Sequence, residues 1–463
     1  MSWPPLPRVL SGLLLAVCLS GCVHRQPNPP LAKIDPSEGY YFHLRDRPNN
    51  SRDTLFILCF SGGGTRAAAL SFGVLEELRR TTYDHGGTPR RMLDEVDAIS
   101  SVSGGSVTAG AYALYGDGVF ERLGPGFLDR NVQWELFWRT MNPSRWPKLW
   151  SKTYGRSDLA ADLYDEVLFG GATFADVMKQ SGAFVLINAT DIATGARFGF
   201  SQYQFDLLCA DLPGIRLSQA VAASSAVPGL LSPVTLNNYA GRLPSDAAEV
   251  IAEAVSPETK GVRSRARFHF EEMASYLDST NRPYIHLVDG GVADNLGVRA
   301  VLDGIFALES RPALRQTLDV TRVERVAIVV VNAFSKPETG WSRREQPPGT
   351  LSLVVAGASI PMDRYSYETV ELLKEQVERF QDLQRRARES GEASGPEVRF
   401  YPVVVSFAGL SDTEERRYLL NQPTSFHLPG AAVERLRGIG AKLLRNSAEF
   451  QAFLDDMRGV VRV

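Results

Sequence analysis

Thr54-Leu55-Phe56-Ile57-Leu58-Cys59-Phe60-Ser61-Gly62-Gly63-Gly64-Thr65-Arg66 is the stretch on which the fold turns. Thr54 to Phe60 is a continuous β-prone run without polar alternation, the pattern of a parallel strand covered on both faces. Ser61 and three glycines break it. From Thr65 to Arg80 apolar residues recur at helical spacing through Leu70, Val74, Leu75 and Leu78.

The same alternation continues outward. Val96 to Ser100 reads as a second strand and Gly104 to Tyr115 as a helix of small residues. Further strands are expected at Ala183 to Asn188, Tyr284 to Val288, Val326 to Val331 and Val398 to Ser406. Helices are expected at Leu217 to Ser224, Asp363 to Glu389, Ala431 to Arg445 and Ala448 to Met457. Strands alternating with helices predict a layered α/β sheet.

Composition narrows the function classes. The 463 residues are 44% hydrophobic and 22% charged, with a net charge of -3. Disorder, collagen and a polytopic membrane protein are excluded. Near-neutral charge gives no reason to expect nucleic acid, which is bound through clustered excess Lys and Arg. Helical reading of the last 50 residues does not support a β-barrel secretion module.

The N-terminus reads as a separate object. Arg8 precedes the apolar run Val9 to Leu19, too short to span a bilayer but of signal-peptide length. Leu19-Ser20-Gly21-Cys22 follows and resembles the bacterial lipobox. That resemblance implies removal of residues 1–21, which with Arg8 takes the net charge from -3 to -4, and acylation of Cys22. Two or three acyl chains, at about 0.8 kcal/mol per buried CH2, anchor a protein stably. Val23 rather than Asp after the cysteine implies, by the same resemblance, the outer membrane facing the periplasm. Residues 22–50 then read as the lipidated cysteine and a Pro-rich tether through Pro27, Pro29, Pro30 and Pro36. Residues 51–310 are the expected core, and 311–463 an α/β elaboration on the same unit. Cys59 and Cys209 could form one bridge at most, so a disulfide scaffold is excluded.

Three loops at strand ends carry the chemistry. Gly62-Gly63-Gly64-Thr65-Arg66 offers successive backbone N–H groups at a helix start, a nest for negative charge. It lacks the Gly-Lys-Ser/Thr of a nucleoside-triphosphate loop, and Gly62, Gly64 and Ala67 fit a dinucleotide fingerprint only loosely. In Ser100-Ser101-Val102-Ser103-Gly104-Gly105-Ser106, a nucleophile elbow needs small residues two before and two after the serine. Ser103 satisfies this with Ser101 and Gly105. Neither Ser101 nor Ser106 does, because Ile99 and Thr108 intervene. In the third loop, Asp289-Gly290-Gly291-Val292-Ala293-Asp294-Asn295, a carboxylate ends a strand at the edge where open α/β sheets bind ligands.

These motifs resemble, in order and spacing, those of the patatin-like phospholipases: a glycine-rich oxyanion loop with trailing Arg, a G-x-S-x-G elbow, and D-G-[GA]. Asn188 to Gly195 and Leu217 to Gly229 resemble two further family segments, so the resemblance covers about residues 53 to 300. It departs from the pattern at Ser101, which replaces the first glycine of the elbow. It implies a three-layer fold with a central mostly parallel sheet flanked by helices. It further implies a Ser103–Asp289 dyad, an oxyanion hole from Gly62, Gly63, Gly64 and Thr65, an acid motif completed by Gly290 and Gly291, and no cofactor or metal. Membrane lipid would then be both substrate and anchor. Arg66 is read either as a headgroup partner or as a brace of its loop. A triad is disfavoured by composition: of six His only His427 follows Asp289 in the chain, and His286 lies within the strand.

Two regions stay open. Trp134, Trp138, Trp146 and Trp150 either meet a membrane interface or pack a helix on the core. Residues 237–283 form either a lid or a surface insertion, with helices at Ala247 to Ala254 and Arg267 to Leu277. The charged helix Asp363 to Glu389 reads as a solvated face. A catalytically silent, anchored binding or assembly protein on the same fold is the alternative function.

Overall fold

β1 (Thr54–Phe60) is the strand read from the opening stretch, and its two faces serve two cores. Phe56, Leu58 and Phe60 belong to the larger one, Leu55, Ile57 and Cys59 to the other. This is why its sequence does not alternate. The computed structural model describes residues 28–151, 154–242, 264–310, 314–336, 341–343, 345–391 and 397–459. Cys22, the apolar run before it and the expected helix Ala247 to Ala254 lie outside the described residues.

After β1 come β2 (Thr82–His85), β3 (Thr88–Arg91), β4 (Val96–Val102), β5 (Phe184–Asp191), β6 (Arg197–Gly199), β7 (Val234–Asn237), β8 (Tyr284–Asp289), β9 (Arg325–Asn332) and β10 (Arg399–Ser406). The helices that matter here are α1 (Thr65–Arg80), α2 (Gly104–Tyr115), α3 (Val132–Met141), α4 (Trp146–Leu149), α5 (Leu217–Ser224), α6 (Ser264–Ser275), α7 (Val298–Ser310), α8 (Thr350–Glu389), α9 (Gly430–Arg445) and α10 (Ala448–Met457). The main sheet runs β10-β9-β1-β4-β5-β8-β7, with β6 beside β5, while β2 and β3 form a separate hairpin. β10, β9, β1, β4 and β5 are mutually parallel. β6, β7 and β8 are antiparallel to their neighbours. Apolar residues of α1, α2, α9 and α10 cover one face, and those of α7 and α8 the other. The result is the expected three-layer α/β fold.

The C-terminal part is built into this unit. β9 and β10 extend the sheet beyond β1, and α9 packs along α1. There the buried Glu77 carboxylate takes two bonds from Arg445, at 2.7 and 2.6 Å.

Several expectations need correction. Described residues between 28 and 50 are not a free tether. Asn28 is buried and exchanges hydrogen bonds with the Asn237 backbone, at 2.7 and 3.0 Å. The Tyr40 hydroxyl is seated on both backbone groups of Val185. Proline content signals extension, but the aromatic Tyr40-Tyr41 pair supplies enough apolar area to dock it. The helix expected from Asp363 begins at Thr350 and runs through Pro361. Proline forfeits one backbone bond there; the next residue, Met362, lies against Gly291, with Sδ 3.0 Å from where a Cβ there would stand. Cys59 and Cys209 are free buried thiols. Only Val132 and Leu136 seat α3 on the core, whereas Trp134, Phe137 and Trp138 remain exposed. In the described part of 237–283, α6 packs near α7, and Asn238 Nδ2 donates to the Tyr276 carbonyl at 2.8 Å. Among the described residues no helix is long and apolar enough to cross a membrane.

Candidate active site

Register brings the three loops together. Phe60 pairs with Ser101 and Val102 with Asn188, so Gly62, Ser103 and Ala189 stand level across β1, β4 and β5. Ala189 in turn pairs with Asp289. β8 is antiparallel to β5, so Asp289 does not reach the site by ending a parallel strand. It descends to it along a strand that enters from beyond the carboxyl end of β5.

At that level the Ser103 hydroxyl donates to Asp289 Oδ2 at 2.9 Å. Ser103 has φ 50° and ψ -120°, a region that costs a non-glycine residue about 1–3 kcal/mol. This is the sharp strand-to-helix turn the sequence asked for. Ser101 does not block it, because its buried side chain turns away to the Leu186 carbonyl at 3.2 Å. At Gly104 no side chain is possible: a Cβ would lie 2.0 Å from the Gly64 carbonyl oxygen. Gly105 likewise faces Ser61 and Phe60.

Asp289 is 4% exposed and Ser103 6%. Burial pushes the Asp289 carboxyl up to about 6, against the opposing pull of the Gly291 N–H, which donates to Oδ1 at 2.8 Å, and of the Ser103 hydroxyl. The Gly290 N–H goes to the Ser224 carbonyl at 3.1 Å. A carboxylate held in this range can ionise near neutrality and still be basic enough to receive a hydroxyl proton.

The glycine loop divides its donors. Gly62 N–H is committed to the Asn295 carbonyl and Thr65 N–H to the Ser425 carbonyl, each at 2.9 Å. The sequence places both in the oxyanion hole, but both are occupied by the contacts that fold the loop. The N–H groups of Gly63 and Gly64 remain as its candidate donors. Gly64 has φ 61°, and a Cβ there would sit 2.2 Å from Ser425 O, so no other residue fits. The Thr65 hydroxyl is buried with no hydrogen-bond partner among the described residues.

Arg66 is not available to a headgroup. It is 3% exposed and donates to Ala333 O and Gln422 O, each at 2.7 Å, and to Thr424 Oγ1 at 3.1 Å. Burial lowers its pKa to about 10, with Asp363 of α8 as the opposing charge. It braces the loop. Arg66→Ala should therefore lower stability in urea denaturation by about 3 kcal/mol, since buried carbonyls lose their donor. Unchanged stability would overturn the brace.

Neither histidine approaches the pair through its observed bonds: His286 Nδ1 meets Thr235 Oγ1 at 2.9 Å and His427 Nδ1 the Arg130 carbonyl at 3.3 Å. The structure adds residues whose roles sequence reasoning did not assign. Ser224 Oγ accepts the Ser103 N–H at 2.8 Å and donates to Asn188 O at 2.6 Å. The Asn188 amide donates to Ser100 Oγ and Ser101 O. Thr190 Oγ1 holds the Asp289 carbonyl at 2.9 Å. Both segments resemble family motifs, but nothing local says that their hydroxyls and amide point at the elbow.

A serine on a strained turn, bonded to one buried carboxylate beside a glycine nest, defines an α/β protein of the nucleophile-elbow class. The family profile described as patatin-like phospholipase matches residues 58–302, and the chain belongs to that family. Similar solved structures include human GIVD cytosolic phospholipase A2, at 14% identity and TM-score 0.41 over 88% of this chain and 63% of that one. The same human protein in complex with methyl gamma-linolenyl fluorophosphonate gives 14% and 0.37 over 88% and 60%. This chain thus spans less than two thirds of the length of these neighbours. No curated protein matches it.

Proposed function

We propose that the protein is a serine acyl hydrolase that cleaves ester bonds of phospholipids or related lipids. The observation that carries the reading is the Ser103–Asp289 hydrogen bond on a strained elbow, beside the Gly63 and Gly64 N–H groups, which have no backbone partner among the described residues. Family membership supports lipid as the substrate class.

In this mechanism Asp289 takes the Ser103 proton as Oγ attacks the ester carbonyl carbon. The Gly63 and Gly64 N–H groups receive the oxyanion, where one such donor contributes on the order of 3 kcal/mol. Asp289 passes its proton to the departing alcohol, leaving the acyl group on Ser103. Water then loses a proton to Asp289 and attacks the acyl carbon. The Ser103 ester bond breaks and Oγ recovers the proton.

The test is incubation of the protein with phospholipid vesicles, with released fatty acid and lysolipid followed by mass spectrometry. Release is expected from the wild type and not from Ser103→Ala. Folded wild-type protein that neither releases fatty acid nor labels with a fluorophosphonate would favour the silent binding protein.

The Leu19-Ser20-Gly21-Cys22 motif supports acyl chains on Cys22, and Val23 after it supports a location at the outer membrane, facing the periplasm. The intact mass of protein from bacterial envelopes tests this. A mature form that starts elsewhere or lacks acyl chains would refute it.

A further inference from the structure

The aromatic residues of α3 and of α4, with Trp150 just after it, are exposed on one stretch of chain. Trp134, Trp138, Trp146 and Trp150 are 54, 55, 40 and 68% exposed, and Phe137 and Met141 join them at 47 and 46%. The rings form two groups: the ring centroid of Trp134 lies 5.4 Å from those of Phe137 and Trp138, and that of Trp146 lies 6.0 Å from that of Trp150. Trp146 Nε1 donates to the Thr140 carbonyl, which ties α4 to α3. Single exposed apolar side chains are ordinary, but a contiguous group of this kind marks a surface that meets something.

Charge and position identify what it meets. Residues 130–150 contain Arg130, Arg139, Arg145 and Lys148 against the single acid Glu135, within a chain whose net charge is -3. Arg130 is paired with Glu135 and Arg139 with Glu166 of a neighbouring segment. A second copy of the chain seated symmetrically on this face would bring like charge to like charge. Amphipathic tryptophans flanked by cations suit the polar boundary of a bilayer with anionic headgroups. The chain leading into α3 reaches the segment that clamps the glycine loop. The Arg130 carbonyl accepts from His427 Nδ1 at 3.3 Å, and Ser425, two residues before His427, holds the Thr65 N–H.

We propose that the α3–α4 face docks on the surface of an anionic phospholipid bilayer and sets the oxyanion loop against it. The choice of lipid as docking partner rests on the proposed hydrolase reading. Docking is read without turnover, however: bound but inactive protein refutes the hydrolase, and active but unbound protein refutes docking.

Hydrogen exchange of the full chain carrying Cys22→Ala, with and without vesicles of phosphatidylcholine and phosphatidylglycerol in equal parts, tests the proposal. Peptides covering 132–150 are expected to slow on vesicles. In the same chain, Trp134→Ser with Trp138→Ser, Trp146→Ser and Trp150→Ser should weaken vesicle partitioning at least ~10-fold. Arg145→Glu with Lys148→Glu, which leaves the aromatic face intact, should weaken it on these vesicles and much less on phosphatidylcholine alone. Unchanged exchange at 132–150 overturns the proposal. So does a dimer in gel filtration that the tryptophan variant abolishes, which would assign the face to a second copy.

Discussion

Ser103→Ala is expected to abolish fluorophosphonate labelling and to lower hydrolysis of a short-chain p-nitrophenyl ester about ten-thousandfold or more. The magnitude follows from covalent catalysis: without Oγ there is no acyl-enzyme, and only oxyanion stabilisation and binding remain. The fold should survive, since Ala fits where Ser does and the Ser103 N–H keeps its bond to Ser224 Oγ. A control separates catalysis from backbone strain. Ser103→Gly should be just as inactive, yet more stable than Ser103→Ala by about 1 kcal/mol, because only glycine occupies φ 50° without cost. Full labelling of either variant would remove Ser103 from the mechanism.

Asp289→Asn is expected to lose activity by a comparable factor, on the order of ten-thousandfold, and to gain stability above neutral pH. The carboxyl is raised from 3.8 to about 6, which means that the folded protein favours its neutral form. The stability this confers is fully present below the unfolded value near 4 and is lost as pH rises through about 6. Asparagine stays neutral throughout and can still accept from the Gly291 N–H. In urea denaturation the two proteins should therefore match near pH 4, and Asp289→Asn should exceed wild type by up to about 3 kcal/mol at pH 8. In the wild type the ionised base exists only above its pKa, so kcat/KM should fall as pH drops below about 6. Activity retained at pH 4, or an Asp289→Asn variant less stable at pH 8, would contradict a buried base at this position.

Much of this site is legible in local patterns. β1 announces its double burial by its unbroken apolar run, and Ser103 is singled out among neighbouring serines by the size of the residues two away. What local patterns miss is direction and distant pairing. The strand Tyr284–Asp289 reads the same whether it runs parallel or antiparallel, so the way Asp289 enters the site was invisible. Arg66 carries a charge and therefore reads as exposed, yet its partners Ala333, Gln422 and Thr424 come from segments hundreds of residues away in the chain. Helical spacing leaves open which side of the helix Val132–Met141 meets the core; Val132 and Leu136 do so, while the rings of Trp134, Phe137 and Trp138 lie against one another instead.

The brace around the glycine loop bears on modularity. Arg66 and Thr65 are held by residues 333, 422, 424 and 425, all downstream of the matched segment 58–302. The family's recurring motifs therefore do not amount to a self-sufficient site in this chain. Its late segments act as the jig in which the loop is clamped, so a shortened version would keep every signature motif and lose the tool that shapes one of them.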